Sequence, residues 1–191
     1  MQELIDKENF LSWKRVSAHD VGVCDKERAL INFWSSPDIK EFLTDRYPIG
    51  ELLYTYMGNN SSICYCYISQ EDSENFGITI PEYKDKELAG AALIYQPFSE
   101  GEHLSIEAMV VNPKLVCKGV ATSMVASIKD NPKFFGNELH TGKVMAAVHK
   151  HNIASQKVFL KNRFNVMKKG TPFGMFDKCL VYFEHERQLE K

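Results

Sequence analysis

The stretch "VVNPKLVCKGVATSMVASIKD", which begins at Val110, has the residue types of an anion-binding site. It predicts the end of a strand, an Asn-Pro turn, a short basic loop with one glycine, and an amphipathic helix. The first turn of a helix leaves backbone N–H groups without internal partners, and the helix dipole adds partial positive charge there. Gly119 would let a ligand approach the backbone closely, and the small Ala121 keeps that path open. Charge and a hydroxyl group are supplied nearby by Lys114, Lys118 and Thr122.

Two interpretations of this stretch stay open from the residues alone. A glycine with lysines ahead of a helix is often an ordinary turn, whereas the same backbone amides can bind a phosphate or pyrophosphate. The stretch matches neither G-x-x-x-x-G-K-[ST] nor G-x-G-x-x-G, so nucleoside triphosphates and dinucleotides are poor candidates.

The cysteines do not indicate a metal site. Cys64 and Cys66 have no Cys/His partner pair at ligand spacing, and on a strand the two thiols would simply share one face. We therefore expect no metal.

The elements that position the anion-binding stretch follow from the spacing of apolar residues. From Ser62 onward, β-forming residues separated by turn signals predict strands, and the helix after the basic loop is predicted from about Cys117 to Asp130. Asn152 is predicted to cap a second helix. The predicted strands are SICYCYISQ, LAGAALIYQ, HLSIEAMVV, KVMAAVH and a terminal pair, RFNVMKK with DKCLVYFEH; the second helix is NIASQKVFLKN.

The N-terminal part, residues 1–60, is predicted to be helical. Apolar residues recur with helical spacing in DKERALINFW, a further segment begins at Ser36-Pro37, and another begins near Pro48 and stops at Gly58. The polar segment EDSENFGITIPEYKDKE predicts a loop or hairpin insertion between strands. The order of elements indicates one α/β (α+β) domain over residues 1–191, with mixed strand directions.

A second stretch, "VMAAVHKHNIASQKVFLKNRF", again predicts a strand, a cap and a helix. Together the two stretches resemble the GNAT superfamily of acetyl-CoA-dependent N-acetyltransferases. The family's loop pattern Q/R-x-x-G-x-G/A falls on residues 116–121, after a strand that ends in the family's V-x-P. Its later pattern N-x-x-A/S-x-x-x-Y-x-x-x-G-F is matched in register by Asn152, Ser155, Phe159 and Phe164.

The resemblance implies a GNAT fold, in which helices flank a mixed central sheet and two parallel strands splay apart. Those strands would end near Val111 and Val148, and the cofactor-binding core would span residues 88–165. Acetyl-CoA would enter between them, with its pantetheine arm paired to the first strand and its pyrophosphate on the amides of residues 117–122. The implied cofactor-binding residues are Met109, Val110, Val111, Val116, Cys117, Lys118, Gly119, Val120, Ala121, Thr122, Asn152, Ser155 and Phe159.

Three residues depart from the family's patterns. Val116 replaces Gln or Arg and removes a polar side chain from the loop, and Arg163 replaces a glycine, which suggests a different turn. Phe159 stands where many relatives carry a tyrosine that protonates the leaving thiolate, so another proton donor is needed.

Acetyl transfer to an amine needs a neutral amine, a polarised thioester carbonyl and a proton for the leaving thiolate. Glu107 is the candidate general base, because it lies on an otherwise apolar strand at a position where several relatives have a catalytic acid or histidine. The alternative for Glu107 is a solvent-facing strand residue or ion-pair partner. Candidates for the acid are Tyr95, Tyr182, His149 and His151, with water or the ammonium intermediate itself as further sources of the proton. No Cys-His-Asp order supports a covalent role for Cys117.

The acceptor is expected to be a primary amine of a small molecule, peptide or protein. An acidic run, Glu71, Asp72 and Glu74, would attract a cationic amine or else form a solvated loop, and Phe173 and Phe176 would line the acceptor pocket or close the core. The rival functions are a catalytically weak acyl-CoA-binding or regulatory module on the same fold and a toxin-like acetyltransferase acting on aminoacyl-tRNA.

Composition and charge narrow the choice of partners and of cellular compartment. A net charge of −2 and a pI near 6.3 argue against nucleic-acid and membrane partners. The five cysteines and the acidic N-terminus, which has no apolar signal region, indicate a reducing cytoplasm, and a homodimer is compatible with the sequence.

Overall fold

The computed structural model describes residues 2–17, 61–68, 87–95, 103–136, 143–167 and 179–186. The strands are β1 (Gln2–Asp6), β2 (Leu11–Ser17), β3 (Ser61–Ile68), β4 (Glu87–Tyr95), β5 (His103–Val111), β6 (Lys143–His149), β7 (Asn165–Val166) and β8 (Leu180–Glu186). The helices are α1 (Val120–Asp130), α2 (Pro132–Phe135) and α3 (Ile153–Lys161), with a 3₁₀ turn at Pro113–Leu115.

The strands form a mixed sheet in the order β1-β2-β3-β4-β5-β6-β8-β7. Neighbours are antiparallel except for β5 and β6, which run parallel at the centre. The predicted mixed sheet with two central parallel strands is therefore confirmed.

The two parallel strands separate toward their carboxyl ends. Their pairing extends only from His103↔Lys143 to Ile106↔Ala146. Beyond that point β5 continues along β4 to Val111, and β6 continues along β8 to His149. A cleft opens between the two strands because each follows its outer neighbour, which confirms the predicted splay.

A β-bulge lies on β5 where this cleft begins. Ile106 is opposite Ile94 and Ala108 is opposite Leu93, so Glu107 is an extra residue in the ladder. Before the bulge, Leu104 and Ile106 belong to the hydrophobic core; after it, residues 109 and 111 pack against that core. Since side chains alternate along a strand, the extra residue shifts the alternation by one position.

The core lies between the sheet and the helices α1, α2 and α3. Met124, Val125 and Ile128 on α1 are fully buried, as the apolar spacing of the predicted helix requires. The buried Trp13 on β2 donates its indole N–H to the Ser127 hydroxyl at 2.8 Å. This bond satisfies two polar groups that would otherwise be costly to bury.

Gly90 on β4 allows a close approach between the sheet and α1. A Cβ atom at this position would collide with the Val110 carbonyl oxygen and lie 2.9 Å from the Met124 sulfur. Only glycine fits there without a shift of the backbone of β5.

Most of the predicted elements from Ser62 onward are confirmed. The main difference is the start of α1, which begins at Val120 because Cys117 and Gly119 have positive φ angles of 64° and 89° that a right-handed helix cannot contain. The expectation that the N-terminal part, residues 1–60, is helical is wrong for residues 2–17, where β1 and β2 form a hairpin. Buried Leu11 and Trp13 alternate with half-buried Ser12 and Lys14, and this alternation of apolar and polar residues is the strand signal there.

Several predictions fall on residues that the structure does not describe. They are the helical segments between residues 25 and 58 and the insertion EDSENFGITIPEYKDKE up to Lys86. Among the helices that the structure describes, each is too short or too polar to span a membrane.

Candidate active site

The loop between β5 and α1 carries the predicted anion-binding residues. Leu115 is fully buried and anchors the 3₁₀ turn in the core. The four residues that follow are exposed, and Val116 leaves 47% of its surface accessible. The loop therefore presents its backbone to solvent at the mouth of the cleft.

The backbone at the start of α1 leaves donors available. The amides of Thr122 and Ser123 both donate to the Gly119 carbonyl oxygen, at 2.8 and 3.1 Å. Within the described part of the chain, the amides of Gly119, Val120 and Ala121 have no hydrogen-bond acceptor. Three neighbouring N–H groups at a helix start are a suitable cradle for a phosphate oxygen.

The backbone amides of Thr122 and Lys118, two of the predicted donors of the loop, already have hydrogen-bond acceptors within the protein. The Thr122 amide is paired, so its hydroxyl is what remains for a ligand, and the Lys118 amide makes a long bond of 3.4 Å to the Leu115 carbonyl oxygen. The electrostatics of the loop favour an anion, because Lys114 and Lys118 are exposed and the first turn of α1 contains no acidic residue.

The cleft between β5 and β6 is open at Ala147. This residue lies in the middle of a central strand, yet it is exposed, while its neighbours Ala146 and Val148 are buried in the core. Its side chain therefore points to the sheet face opposite the core. An exposed alanine inside an eight-stranded sheet marks the accessible interior of the cleft.

Glu107 and Tyr182 lie beside this opening. Glu107 is half-buried at the bulge, where β5 leaves β6. Tyr182 on β8 is directly opposite Ala147 and sits between Val181 and Phe183, which both pack in the core, so its ring is on the same face as Ala147. The register thus places a carboxylate and a phenol on either side of the cleft.

The start of α3 is fixed by Asn152. Its side-chain oxygen accepts a hydrogen bond from the Ser155 amide at 3.1 Å, so the predicted N-cap is observed. Gln156 adds a second link, from its side-chain nitrogen to the Lys150 carbonyl oxygen at 2.8 Å. Asn152 and Ser155 are half-buried, and the capped turn that they form connects the end of β6 to α3.

Phe159 lies in the core. It is 4% exposed, stacks on Phe183 at a centroid distance of 5.4 Å, and meets Phe164 edge-on at 5.2 Å. Its ring therefore packs α3 against the core, and it offers no hydroxyl group for proton transfer.

Two histidines lie at the rim of the cleft, where β6 ends. Their rings are 5.3 Å apart, and the His149 Nδ1 accepts a bond of 3.3 Å from the His151 amide. Tyr95, the remaining candidate acid, ends β4 and pairs with Ser105, on the amino side of the bulge. Of the four candidate acids, Tyr182 has the register closest to the opening at Ala147.

The cysteines of β3 are unsuited to bind metal or act as nucleophiles. Cys64 and Cys66 are fully buried, and burial raises the pKa of Cys64 to about 12 and the pKa of Cys66 well above its ordinary value. Over the described ranges, no cluster of three or more His, Cys, Asp or Glu side chains could hold a metal ion.

Other predicted acceptor-site residues, Glu71, Asp72, Glu74, Phe173 and Phe176, lie outside the described residues. The sequence interpretation missed the bulge at Glu107 and two asparagines, Asn112 and Asn162, that hold the loop. Asn112 had a signal, since an Asn before Pro often closes a turn. The contact of Asn162 with Thr122 joins residues 40 positions apart and has no local signal.

Comparison with protein families identifies the chain. Residues 23–165 match the model of the acetyltransferase (GNAT) domain, which is most of the 191 residues. The chain therefore belongs to the GNAT acetyltransferase family. No curated protein is significantly similar to it in sequence.

Solved structures share the fold. A spermidine N-acetyltransferase from Vibrio cholerae, crystallised with CoA and spermine, has a TM-score of 0.59 and 13% identity, over 92% of this chain and 95% of that one. The N-acetyltransferase PseH from Campylobacter jejuni, in complex with acetyl-CoA, has a TM-score of 0.54 and 15% identity, over 92% and 99%. A domain from Methanocaldococcus jannaschii reaches 0.59 and 17%, over 92% and 97%. At these identities the likeness establishes the fold.

Proposed function

We propose that this protein is an N-acetyltransferase that moves an acetyl group from acetyl-CoA to a primary amine, and that residues 1–191 act as one domain. The observation that carries the proposal is that two features of the molecule lie at the same place. The cleft between β5 and β6 opens where the unpaired amides of Gly119, Val120 and Ala121 begin α1. Structural neighbours with the same fold were crystallised with CoA or acetyl-CoA.

The cofactor fits both features. The edge of β5 that faces the cleft, from Met109 to Val111, has no β6 partner, so an extended pantetheine arm could pair with it as a strand does. The diphosphate would then reach the loop, where Gly119, Val120 and Ala121 offer backbone donors and Lys118 offers positive charge. Thr122 would contribute its hydroxyl, and Asn152 its side-chain amide group.

The chemistry follows from the groups beside the opening. Acetyl-CoA would supply the acetyl group, and CoA would leave as the free thiol. Glu107 would accept the proton of the attacking amine, and a backbone N–H of residues 109–111 would polarise the carbonyl. Tyr182 would return a proton to the thiolate, because Phe159 has no hydroxyl group and lies in the core. One N–C bond forms, one C–S bond breaks, and the net proton passes from amine to thiol.

A primary amine is the proposed acceptor, of a small molecule, peptide or protein. The carboxylate of Glu107 gives the cleft a negative group that suits a cationic amine. The spermidine N-acetyltransferase neighbour acts on such an amine, although its likeness to this chain concerns the fold.

A second candidate function is an acyl-CoA-binding module with little turnover. Two residues favour it, because Val116 adds no polar contact to the loop and Phe159 adds no acid. The two functions share the cofactor and differ in chemistry.

The experiment that separates them is a transfer screen with acetyl-CoA across a panel of amines, including polyamines, aminoglycosides and lysine peptides. Release of free thiol above the rate without amine supports the transferase. CoA binding without thiol release would support the binding module. Gly119→Glu is the control, since bulk and negative charge against the diphosphate should abolish CoA binding, and unchanged calorimetric affinity would contradict the loop assignment.

A further inference from the structure

The loop between β5 and α1 is held at its start by Asn112. The side-chain Nδ2 donates to the Leu88 carbonyl oxygen on β4 at 3.0 Å, and Oδ1 accepts from the Lys114 amide at 3.0 Å. The backbone N–H of Asn112 also donates to the Ala89 carbonyl oxygen at 2.8 Å. One residue thus ties the loop to the neighbouring strand and closes its first turn.

The far end of the loop is held by Asn162. This side chain is buried, with 7% exposed, and its Nδ2 donates to the Thr122 carbonyl oxygen at 3.1 Å and to the Val158 carbonyl oxygen at 3.0 Å. Thr122 is in the first turn of α1 and Asn162 caps the end of α3. The bond therefore fixes the first turn of α1 against a helix that follows the other cleft strand.

Between these two points the buried side chain of Leu115 anchors the loop. Leu115 is fully buried, and its amide donates to the Asn112 carbonyl oxygen at 2.8 Å. The next four residues, 116–119, are exposed and add nothing to the core. The position of the unpaired amides at Gly119–Ala121 is consequently set by the buried side chains of Leu115 and Val120 and by the hydrogen bonds of Asn112 and Asn162.

We propose that Asn112 and Asn162 are positioning residues that pre-organise the loop amides for the diphosphate of coenzyme A. This inference rests on the proposed function, because it presumes that the loop binds that group. Donors that are already in place bind a ligand without a further ordering cost, so a loosened loop loses affinity for the part of the ligand that it contacts. The pantetheine arm, which would lie along β5, should be unaffected.

The test compares two ligands on three variants. Asn112→Ala and Asn162→Leu each remove the side-chain hydrogen bonds of one positioning residue, and leucine has the branched shape of asparagine without its hydrogen-bond donor. Asn131→Ala is the matched control: Asn131 caps the other end of α1, and its Nδ2 donates to the Ser127 carbonyl oxygen at 3.0 Å and to Asp6 Oδ2 at 3.2 Å. Calorimetry measures the affinity for CoA and for pantetheine, which lacks the diphosphate, after thermal melting has shown that each variant is folded.

We expect about tenfold weaker CoA binding for Asn112→Ala and for Asn162→Leu, with pantetheine affinity unchanged, since each loses hydrogen bonds that order the loop. Asn131→Ala should bind both ligands as the wild type does. Equal losses for CoA and pantetheine, or an equal loss in Asn131→Ala, would show a structural role and overturn the proposal.

The failure of the proposal and the failure of the proposed function give different results. If the wild type binds CoA and both Asn112→Ala and Asn162→Leu bind it with unchanged affinity, the positioning role is overturned and the proposed function is not. No CoA binding by the wild type overturns the proposed function and this inference with it. If Asn112→Ala does not fold, Asn162→Leu decides the question by itself.

Discussion

At Arg163 the backbone adopts the left-handed conformation, with φ at 63°, immediately after the end of α3. The amide of Arg163 donates to the Leu160 carbonyl oxygen at 3.0 Å, and the amide of Phe164 donates to the Phe159 carbonyl oxygen at 3.1 Å. The Phe159–Phe164 ring contact completes a Schellman motif, whose left-handed position usually holds glycine. The family's glycine-type turn is thus kept with an arginine in it, rather than replaced by a different turn.

Arg163→Gly should raise the free energy of unfolding by about 1 kcal/mol, because glycine adopts this conformation without the strain of a Cβ atom. Urea denaturation followed by circular dichroism measures the change. Lys161→Gly, in the last turn of the same helix, should lower the stability by a similar amount. A stability loss in Arg163→Gly would mean that the arginine side chain makes a contact that outweighs the strain.

Glu107→Gln should lower turnover by about a hundredfold while leaving the melting temperature and CoA affinity unchanged, since a general base contributes on that scale. The rise of rate with pH that a titrating base produces should disappear. Ser105→Ala, two residues earlier on β5, is the control and should retain wild-type kinetics. A variant with the pH–rate profile of the wild type would exclude Glu107 as the base.

At the scale of secondary structure, the separation of β5 and β6 is the feature on which the proposed chemistry depends. Each strand keeps one antiparallel neighbour to its end, so the sheet remains hydrogen-bonded while the central pair opens. The opening therefore leaves intact the antiparallel ladders that hold both strands, and it exposes Ala147 on the face opposite the core.

Ala147→Phe should abolish turnover without destabilising the fold, because the added ring fills the cleft and the position is already exposed. The free energy of unfolding should change by less than about 0.5 kcal/mol, as at other surface positions. Lys7→Phe, in the exposed turn between β1 and β2, controls for an added surface aromatic and should leave turnover unchanged. An active Ala147→Phe enzyme would place the reaction elsewhere.

At the scale of the whole molecule, stability should depend on pH through His185 on β8. Burial, with a smaller effect from Lys129, lowers the pKa of this imidazole, and its buried Nδ1 has no hydrogen-bond partner within the described part of the chain. Protonation is therefore disfavoured in the folded state. As pH falls below the ordinary histidine value near 6.5, the unfolded chain takes up a proton that the folded chain resists, so stability decreases.

His185→Gln should remove this part of the pH dependence. As pH falls below about 6.5, the wild type should lose stability more steeply than the variant, as urea midpoints at several pH values would measure. His151→Gln, at an exposed position, is the control for the loss of a histidine side chain. Parallel wild-type and His185→Gln curves would contradict the assignment.

The strands from Ser62 onward could be predicted from the sequence because each is a short apolar run between turn signals, and α3 because Asn152 caps a periodic segment. The N-terminal hairpin was not predicted, because helix was expected there, although the apolar Leu11 and Trp13 alternate with polar residues in "LSWK". The bulge could not be predicted, since one extra residue in "HLSIEAMVV" leaves no mark until its partner strand is known. The link between Asn162 and Thr122 depends on how two helices meet, which no local pattern contains.

The bulge has a consequence for how β5 tolerates insertions and deletions. Removing Glu107 altogether would erase the carboxylate and restore an uninterrupted ladder with β4, in which Ala108 stays opposite Leu93 and Met109 stays opposite Ala92. Met109 and Val111 would therefore keep their packing against the core, because the deletion removes only the residue that has no partner in the ladder with β4. Deletion of Glu107 should therefore leave the core packing intact, whereas deletion of a paired residue such as Met109 would turn the residues beyond it to the opposite face.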